Sequence, residues 1–404
     1  MKSSPWHLFY KDSNYFKNPA SAKQLLNKND ISSLKLLLIE VLNRFFEKKE
    51  ELHIGLKVYV NNNLRNDKIQ QMAAHPPKPG ESLETWAKQI FGSEKFGIVL
   101  IGLEQYSNNF SEKIAAIIRP LIATAGLPLN GLSFLFFMGN YGFTPFGIHK
   151  EATGEDGILL HLGPEDKEFY TWDDPQYNAI KHNSKVFHDI HKMLPQAKLY
   201  YLKPGDAMFI PHYVYHVANT AKFSVSIVLD YINPPKDYFE NDLLKLAAEA
   251  QIELTNTYMK PISLNASLNE ITNIIEIDGL KKKLEITLQR KLMCLRSNGG
   301  IGKKSNKGTV ALPHTESFAV IGKSVFPILW KVLSSEKALV FARGHQITIA
   351  NNPGVAPLLA RLNKGETLTL SDVKEILEPK WDLIAISSFL QELLMTDAVE
   401  VSDN

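Results

Sequence analysis

The chain has 404 residues, 22% of them charged and 44% apolar, with a formal net charge of only +2. That length is enough for two or three ordinary cores, and so even a balance excludes a nucleic-acid-coating or strongly acidic protein. The single cysteine, Cys294, excludes an intramolecular disulfide and fits a reducing compartment, where a lone buried thiol acts as a small apolar residue.

The opening MKSSPWHLFYKDSNYF lacks the continuous apolar run of a signal peptide. No window approaches the ~20 apolar residues needed to span a bilayer, so a cytoplasmic protein is expected. Apolar residues at helical spacing, including Leu34, Leu38, Val41, Leu42 and Phe45, predict a helix that ends in a charged, solvated run. IGLKVYVNN then alternates like a strand, and the proline-rich AAHPPKPGES precedes a helix around Trp86. Residues 1–94 read as an α/β extension packing on the core.

From about residue 95 to 235 the texture becomes that of short strands: FGIVLIGLE, LSFLFFMGNYG, DGILLHLG, EFYTW, AKLYYL, DAMFIP and FSVSIVLDYI, separated by Gly, Pro and Asp turns. Strands at this density predict a sandwich or jelly roll. One helix interrupts, with Phe110, Ile114, Ile117, Ile118 and Leu121 on one face; a second is expected over 176–194. Residues 236–300 read as helical. SNGGIGKKSNKG then reads as a flexible linker, and 310–404 as a separate small unit whose order of elements resembles a winged helix. The fold class is α+β.

The chemistry concentrates in GIHKEATGEDG. Side chains at i and i+2 of a strand share a face, so His149 and Glu151 point into one cavity if the segment is extended. A third ligand is offered by KPGDAMFIPHYVYHVANT, either His216, which lies 65 residues beyond Glu151, or His212. Two histidines and one carboxylate leave about three positions open on octahedral iron, room for a chelating co-substrate and oxygen. His182, His188 and His191 lie at near-helical spacing, more typical of a polar helix face than of a metal site, and His7, His53, His75, His314 and His345 have no recognisable partners. Tyr141, Phe143, Phe146, Tyr170, Trp172, Tyr213 and Tyr215 crowd the expected cavity, mostly as core.

TPFGIHKE, LLHLGPEDKEFYTWD, LKPGDAMFIPHYVYHVANT and FSVSIVLDY together resemble the cupin-fold Jumonji-type Fe(II)/2-oxoglutarate oxygenases over roughly residues 95–235. The resemblance implies a double-stranded β-helix in which His149, Glu151 and His216 ligate Fe(II), 2-oxoglutarate chelates the metal, and O2 is used to hydroxylate a C–H bond. His216 fits the family pattern better, because it stands a few bulky residues after a proline and before an apolar residue and an Asn. The family places a cation for the distal carboxylate of 2-oxoglutarate on the strand after the HxE. Lys167 is the candidate, with Lys203 or His161 as substitutes; Thr144, Ser224 or Ser226 could add a hydroxyl, and Asn219 could support the ligands from behind.

A jelly roll followed by a helical segment and a winged-helix-like unit resembles the bacterial members that hydroxylate ribosomal proteins. This implies a polypeptide substrate and a homodimer formed through 236–300. PLLARLNKGETLTLSDVKEIL also looks like elements that hold leader peptides in natural-product enzymes. With only Arg361, Lys364 and Lys374 on the stretch that would read a groove, nucleic acid is not the expected partner, although Lys303, Lys304 and Lys307 are its best support. The rival class is a cupin that binds metal without being an oxygenase.

Overall fold

The computed structural model describes residues 4–48, 55–174, 186–249, 261, 263–267, 277–313 and 317–403. His53, His182 and His314, the first ten residues of the helix expected over 176–194, and parts of the 236–300 region lie outside them.

An eight-stranded sheet is built, in chain order, from β1 (Ala20–Ala22), β2 (Leu56–Val60), β3 (Asn63–Leu64), β4 (Phe96–Ile101), β5 (Leu132–Gly139), β8 (Glu155–Pro164), β12 (Ala207–Ile210) and β14 (Ser224–Ile232). Across it the strands run β1-β12-β8-β14-β5-β4-β2-β3. A second sheet, β10-β7-β13-β9-β11, uses β7 (Ile148–His149), β9 (Lys167–Trp172), β10 (Val186–Phe187), β11 (Lys198–Leu202) and β13 (Tyr215–Thr220), with β6 (Gly142–Phe143) paired to β13. Every pairing in these two sheets is antiparallel.

The large sheet carries apolar residues on both faces because both are covered. Val225, Ile227 and Leu229 of β14 and Phe134, Phe136 and Met138 of β5 join the main core. There they meet Leu34, Leu38, Val41, Leu42 and Phe45 of α2 (Lys28–Glu47) and Phe110, Ile114, Ile118 and Leu121 of α5 (Asn108–Ala125). Asn27 and Asp30 close a capping box on α2, and Ser107 caps α5 through the Phe110 N–H. Three smaller helices, α1 (Pro5–Asp12), α3 (Asp67–Ala74) and α4 (Leu83–Phe91), add Trp6, Phe9, Ile69, Met72 and Trp86 to the same core. The intervening positions Leu135, Phe137 and Val228 face the other way, towards the second sheet, and line a cavity between the two.

The N-terminal segment contributes sheet as well as cover: β2 pairs with β4 and β1 with β12. Two expectations need correction. The described part of 176–194 is not one helix: Val186 and Phe187 pair with His149 and Ile148, and only α6 (Ile190–Met193) is helical. Pairing with β7 and burial of Phe187 beside Tyr215 outweigh the helical spacing, leaving His188 in the link and His191 against Phe143. Residues 298–304 are also no flexible linker. The Leu132 N–H donates to Gly300 O at 2.8 Å and the Gly302 N–H to Leu132 O at 2.9 Å, and Asn298, Ile301 and Ser305 are buried. A Cβ on Gly131 would come within 2.6 Å of Gly302 Cα, so glycine on both sides permits this contact.

Two helices follow the second sheet among the described residues, α7 (Lys236–Glu249) and α8 (Ile277–Ser297). The C-terminal unit has its own core around α9 (Val355–Leu362), α10 (Leu370–Leu377) and α11 (Leu383–Met395). It holds two three-stranded sheets: β15 (Phe318–Gly322) between β19 (Thr367–Thr369) and β20 (Val399–Asp403), and β16 (Leu329–Val332), β17 (Lys337–Ala342) and β18 (His345–Ala350). Lys323 ties it to the first core, reaching Glu112 of α5 at 2.7 Å and Asp397 at 3.0 Å. No helix among the described residues is long and apolar enough to cross a membrane.

Candidate metal centre

The turn Thr144 to Gly147 and the short strand β7 set the first ligand. Gly147 has φ +83°, open to glycine at little cost, and a Cβ there would meet Phe187 O at 2.4 Å. Its carbonyl accepts from His149 Nδ1 at 3.0 Å, and Val214 O accepts from His216 Nδ1 at 3.1 Å. Carbonyls only accept, so both imidazoles carry their proton on Nδ1 and turn an Nε2 lone pair away from these contacts. The register places His149 directly opposite His216, and their ring centroids are 4.2 Å apart. Glu151 lies just beyond the end of β7, with Oε1 3.3 Å from His216 Nε2 and 3.8 Å from His149 Nε2.

One ligand atom from each of these three residues lies within 4.8 Å of the others. Burial and the neighbouring His216 hold the His149 pKa down to about 4, so the ring is neutral. Burial pushes the Glu151 carboxyl up, but the neighbouring His216 and His149 outweigh it and leave its pKa lowered. A neutral Nε2 lone pair and a carboxylate are both acceptors, and facing each other they need a cation between them. Separations of 3.3 and 3.8 Å lie a little beyond the ~3 Å between adjacent positions around a first-row metal with ~2.1 Å bonds, close enough for a bound ion to draw the donors in. Phe169 stacks on His216 at 5.4 Å and Phe146 meets His149 edge-on at 4.5 Å, which fixes both rings.

His212, the other candidate third ligand, is placed elsewhere: its Nδ1 and backbone N–H both engage Asp156 Oδ1 at 2.9 Å. The three-residue cluster opens into a cavity of about 440 Å³ that Lys167 and Thr144 also line. Lys167 is 1% exposed, donates to Tyr141 Oη at 3.0 Å, and is lowered by burial to a pKa of about 7. Its ammonium has no acidic partner among the described residues, an arrangement that favours an incoming anion.

The substitutes for Lys167 are otherwise occupied. Lys203 is exposed in its turn. His161 donates from Nε2 to Glu165 O at 2.7 Å and so accepts from Ser226 at Nδ1, 3.1 Å away; burial and then the Lys167 charge lower its pKa to about 3, leaving it neutral. Ser226 is thus committed to His161 in the wall, and Ser224 meets Thr220 at 3.0 Å; neither lines the cavity. Thr144 Oγ1 donates to Ala218 O at 3.2 Å. Asn219 departs from its expected place: on β13 His216 and Ala218 face the cavity, while Asn219 turns outward and donates to Glu168 at 2.8 Å.

Two cavity groups were not singled out from the sequence, Lys57 and Tyr59 of β2, whereas Tyr141, expected among the cavity aromatics, is the partner of Lys167. A signal for the first two exists, since they alternate with buried Leu56, Val58 and Val60. If the Gly147 carbonyl fixes His149, Gly147→Ala is expected to weaken Fe(II) binding about 10- to 100-fold, read by titration of the purified protein. Unchanged affinity would remove that role from the turn.

No family model and no curated protein matches the chain. Among solved structures, a ribosomal oxygenase from Escherichia coli, YcfD, matches with a TM-score of 0.52 at 11% identity, over 97% of each chain. The same protein in complex with cobalt and 2-oxoglutarate matches with a TM-score of 0.51 at 11% identity, again over 97% of each chain. At this identity what is shared is the fold, an α+β architecture followed over nearly the whole length.

Proposed function

We propose that this chain is a non-haem Fe(II)- and 2-oxoglutarate-dependent oxygenase that hydroxylates a side chain of a protein or peptide. The observation that carries the reading is the juxtaposition, in one cavity, of the His149, Glu151 and His216 cluster with the buried cation Lys167. The similarity in fold to a ribosomal oxygenase supports a polypeptide substrate. The cavity core is read as a double-stranded β-helix, the C-terminal unit as winged-helix-like and the 236–300 region as a homodimer interface.

Held by two imidazoles and one carboxylate, Fe(II) would supply open positions for a chelating 2-oxo acid and O2 and the electrons for their reaction. The protein's part is positioning. His149 and His216 present Nε2 because their Nδ1 protons are tied to carbonyls, and Glu151 supplies the negative charge that retains a divalent ion. Lys167, steadied by Tyr141, pairs with the distal carboxylate of the co-substrate, and Thr144, its hydroxyl held by Ala218, lines the same cavity. Leu159, Phe169, Ile210 and Val228 keep the intervening space apolar, so the pairing happens away from water and is strengthened.

The test is anaerobic. Fe(II) with 2-oxoglutarate is expected to give a weak visible charge-transfer band, and air with a suitable polypeptide should yield succinate and a gain of one oxygen in the mass of that polypeptide. Iron-loaded, folded protein with no band would instead favour a cupin that binds metal for other chemistry.

A further inference from the structure

A second cleft, which shares no lining residue with the metal cavity, lies between α8, the 298–304 loop and the turn at Gly344, with a volume of about 460 Å³. Its charged lining residues are all cations: Arg290, Lys291, Lys303 and Lys304. Lys291 is already engaged, by Asn130 Oδ1 at 2.7 Å and over the Phe239 ring at 5.1 Å, and Asp242 of α7 is the acid that acts on it. Arg290 differs. Its Nε is buried and has no hydrogen-bond partner among the described residues. A guanidinium N–H withdrawn from water without an acceptor is costly, and an oxyanion is the acceptor that matches both its charge and its geometry.

Lys303 and Lys304 are presented by backbone that the Leu132 hydrogen bonds and the Gly131–Gly302 contact pin to the large sheet, so the cations do not wander as they would on a linker. Cys294, on the same wall, does not add a reactive thiolate: burial raises its pKa to about 11. The cleft also sits within a longer band of charge. Residues 277–307 hold nine Lys and Arg against two acidic residues, a local +7 in a chain whose net charge is +2. Three of them, Lys281, Lys282 and Lys283, are exposed one after another on α8.

We propose that this cleft binds a phosphate group through Arg290, Lys303 and Lys304, and that the band along α8 extends the contact to the successive phosphates of a nucleic-acid strand. A single small anion would use the cleft alone, whereas a row of phosphates answers the whole band. This inference is independent of iron or 2-oxoglutarate.

The experiment measures binding of a short single-stranded RNA to the full-length protein by fluorescence anisotropy as salt is varied, with inorganic pyrophosphate as competitor. Wild type is expected to bind with log affinity falling linearly against log salt, by roughly 0.7 per phosphate neutralised. Lys304→Gln should weaken binding about tenfold and make that slope shallower by roughly 0.7, while its melting temperature stays at the wild-type value. Arg290→Gln should weaken it more, and Lys304→Gln, an exposed change, guards against misfolding of the buried variant. RNA bound as tightly by both variants as by wild type, or no binding by wild type, overturns the proposal. Binding of pyrophosphate alone, lost in both variants, upholds the phosphate site and overturns its extension to a nucleic acid.

Discussion

Replacing His149 or His216 by alanine is expected to lower Fe(II)-dependent succinate formation at least about 10³-fold, while His212→Ala leaves it within about twofold. The first two changes each remove one of three donors that converge within 4.8 Å, and a site reduced to one imidazole and one carboxylate loses the chelate geometry that retains a labile divalent ion. His212 serves as the internal control. Its ring is spent on Asp156 at 2.9 Å, so its loss removes that contact and leaves the three-residue cluster intact. Metal content by elemental analysis distinguishes the outcomes: the two ligand variants should lose iron, and melting curves report whether they still fold. Full iron occupancy in His216→Ala would remove that residue from the ligand set.

The second large effect concerns Lys167. Lys167→Met is expected to raise the concentration of 2-oxoglutarate needed for half-saturation about 10²- to 10³-fold, because the distal carboxylate would enter a dry wall without its counter-charge, a loss of roughly 3–4 kcal/mol. The same variant should melt higher than wild type when both are free of ligand at pH 7. Burial lowers the Lys167 pKa from 10.5 to about 7, so the folded state resists the proton that the unfolded chain carries. Between pH 7 and pH 10.5 the unfolded state binds more protons, and wild-type stability therefore rises with pH across that window and is lowest below it. Lys167→Met removes this dependence, so its advantage over the wild type should be greatest near pH 7 and vanish towards pH 10. Saturating 2-oxoglutarate should reverse the order at pH 7 by giving the wild-type ammonium its partner. Affinity for 2-oxoglutarate should also weaken as pH rises above 7, where free Lys167 is increasingly neutral. Melting curves with and without the co-substrate at several pH values test all of this; a pH-independent difference would mean that Lys167 acts through packing.

Much of the site was legible because it depends on short-range rules. The HxE alternation places His149 and Glu151 on one side of an extended segment, and the alternation in FSVSIVLDYI separates Val225, Ile227 and Leu229 from Val228. The same parity rule, applied to YHVANT, would have turned Asn219 away from the cavity once His216 was taken to face it. Lys167 was harder to place. It opens β9 immediately after the Pro164 to Asp166 turn, and β8 and β14 shift register between Val225 and Ser226, so counting residues from the HxE does not locate its side chain.

What resisted a linear reading was pairing between distant segments. A backbone ladder can be completed by many strands, and the choice falls to whichever arrangement buries the most apolar surface on both faces. Thus β2 could be read as a strand, but not as a wall of the metal cavity, and VF at 186–187 could be read as helix until β7 offered it an edge. Composition alone made 298–304 look like a linker, since glycine serves a mobile link and a tight backbone contact equally well; its fit against Leu132 settles which. Residue types and local spacing thus specified helices, caps, strand faces and two members of the His149, Glu151 and His216 cluster, because those depend on neighbours a few positions away. The Asp156 contact that holds His212 apart from the cluster, the burial of Lys167 and the cationic cleft at Arg290 arise only when strands and helices far apart in the chain are brought into register around a shared core.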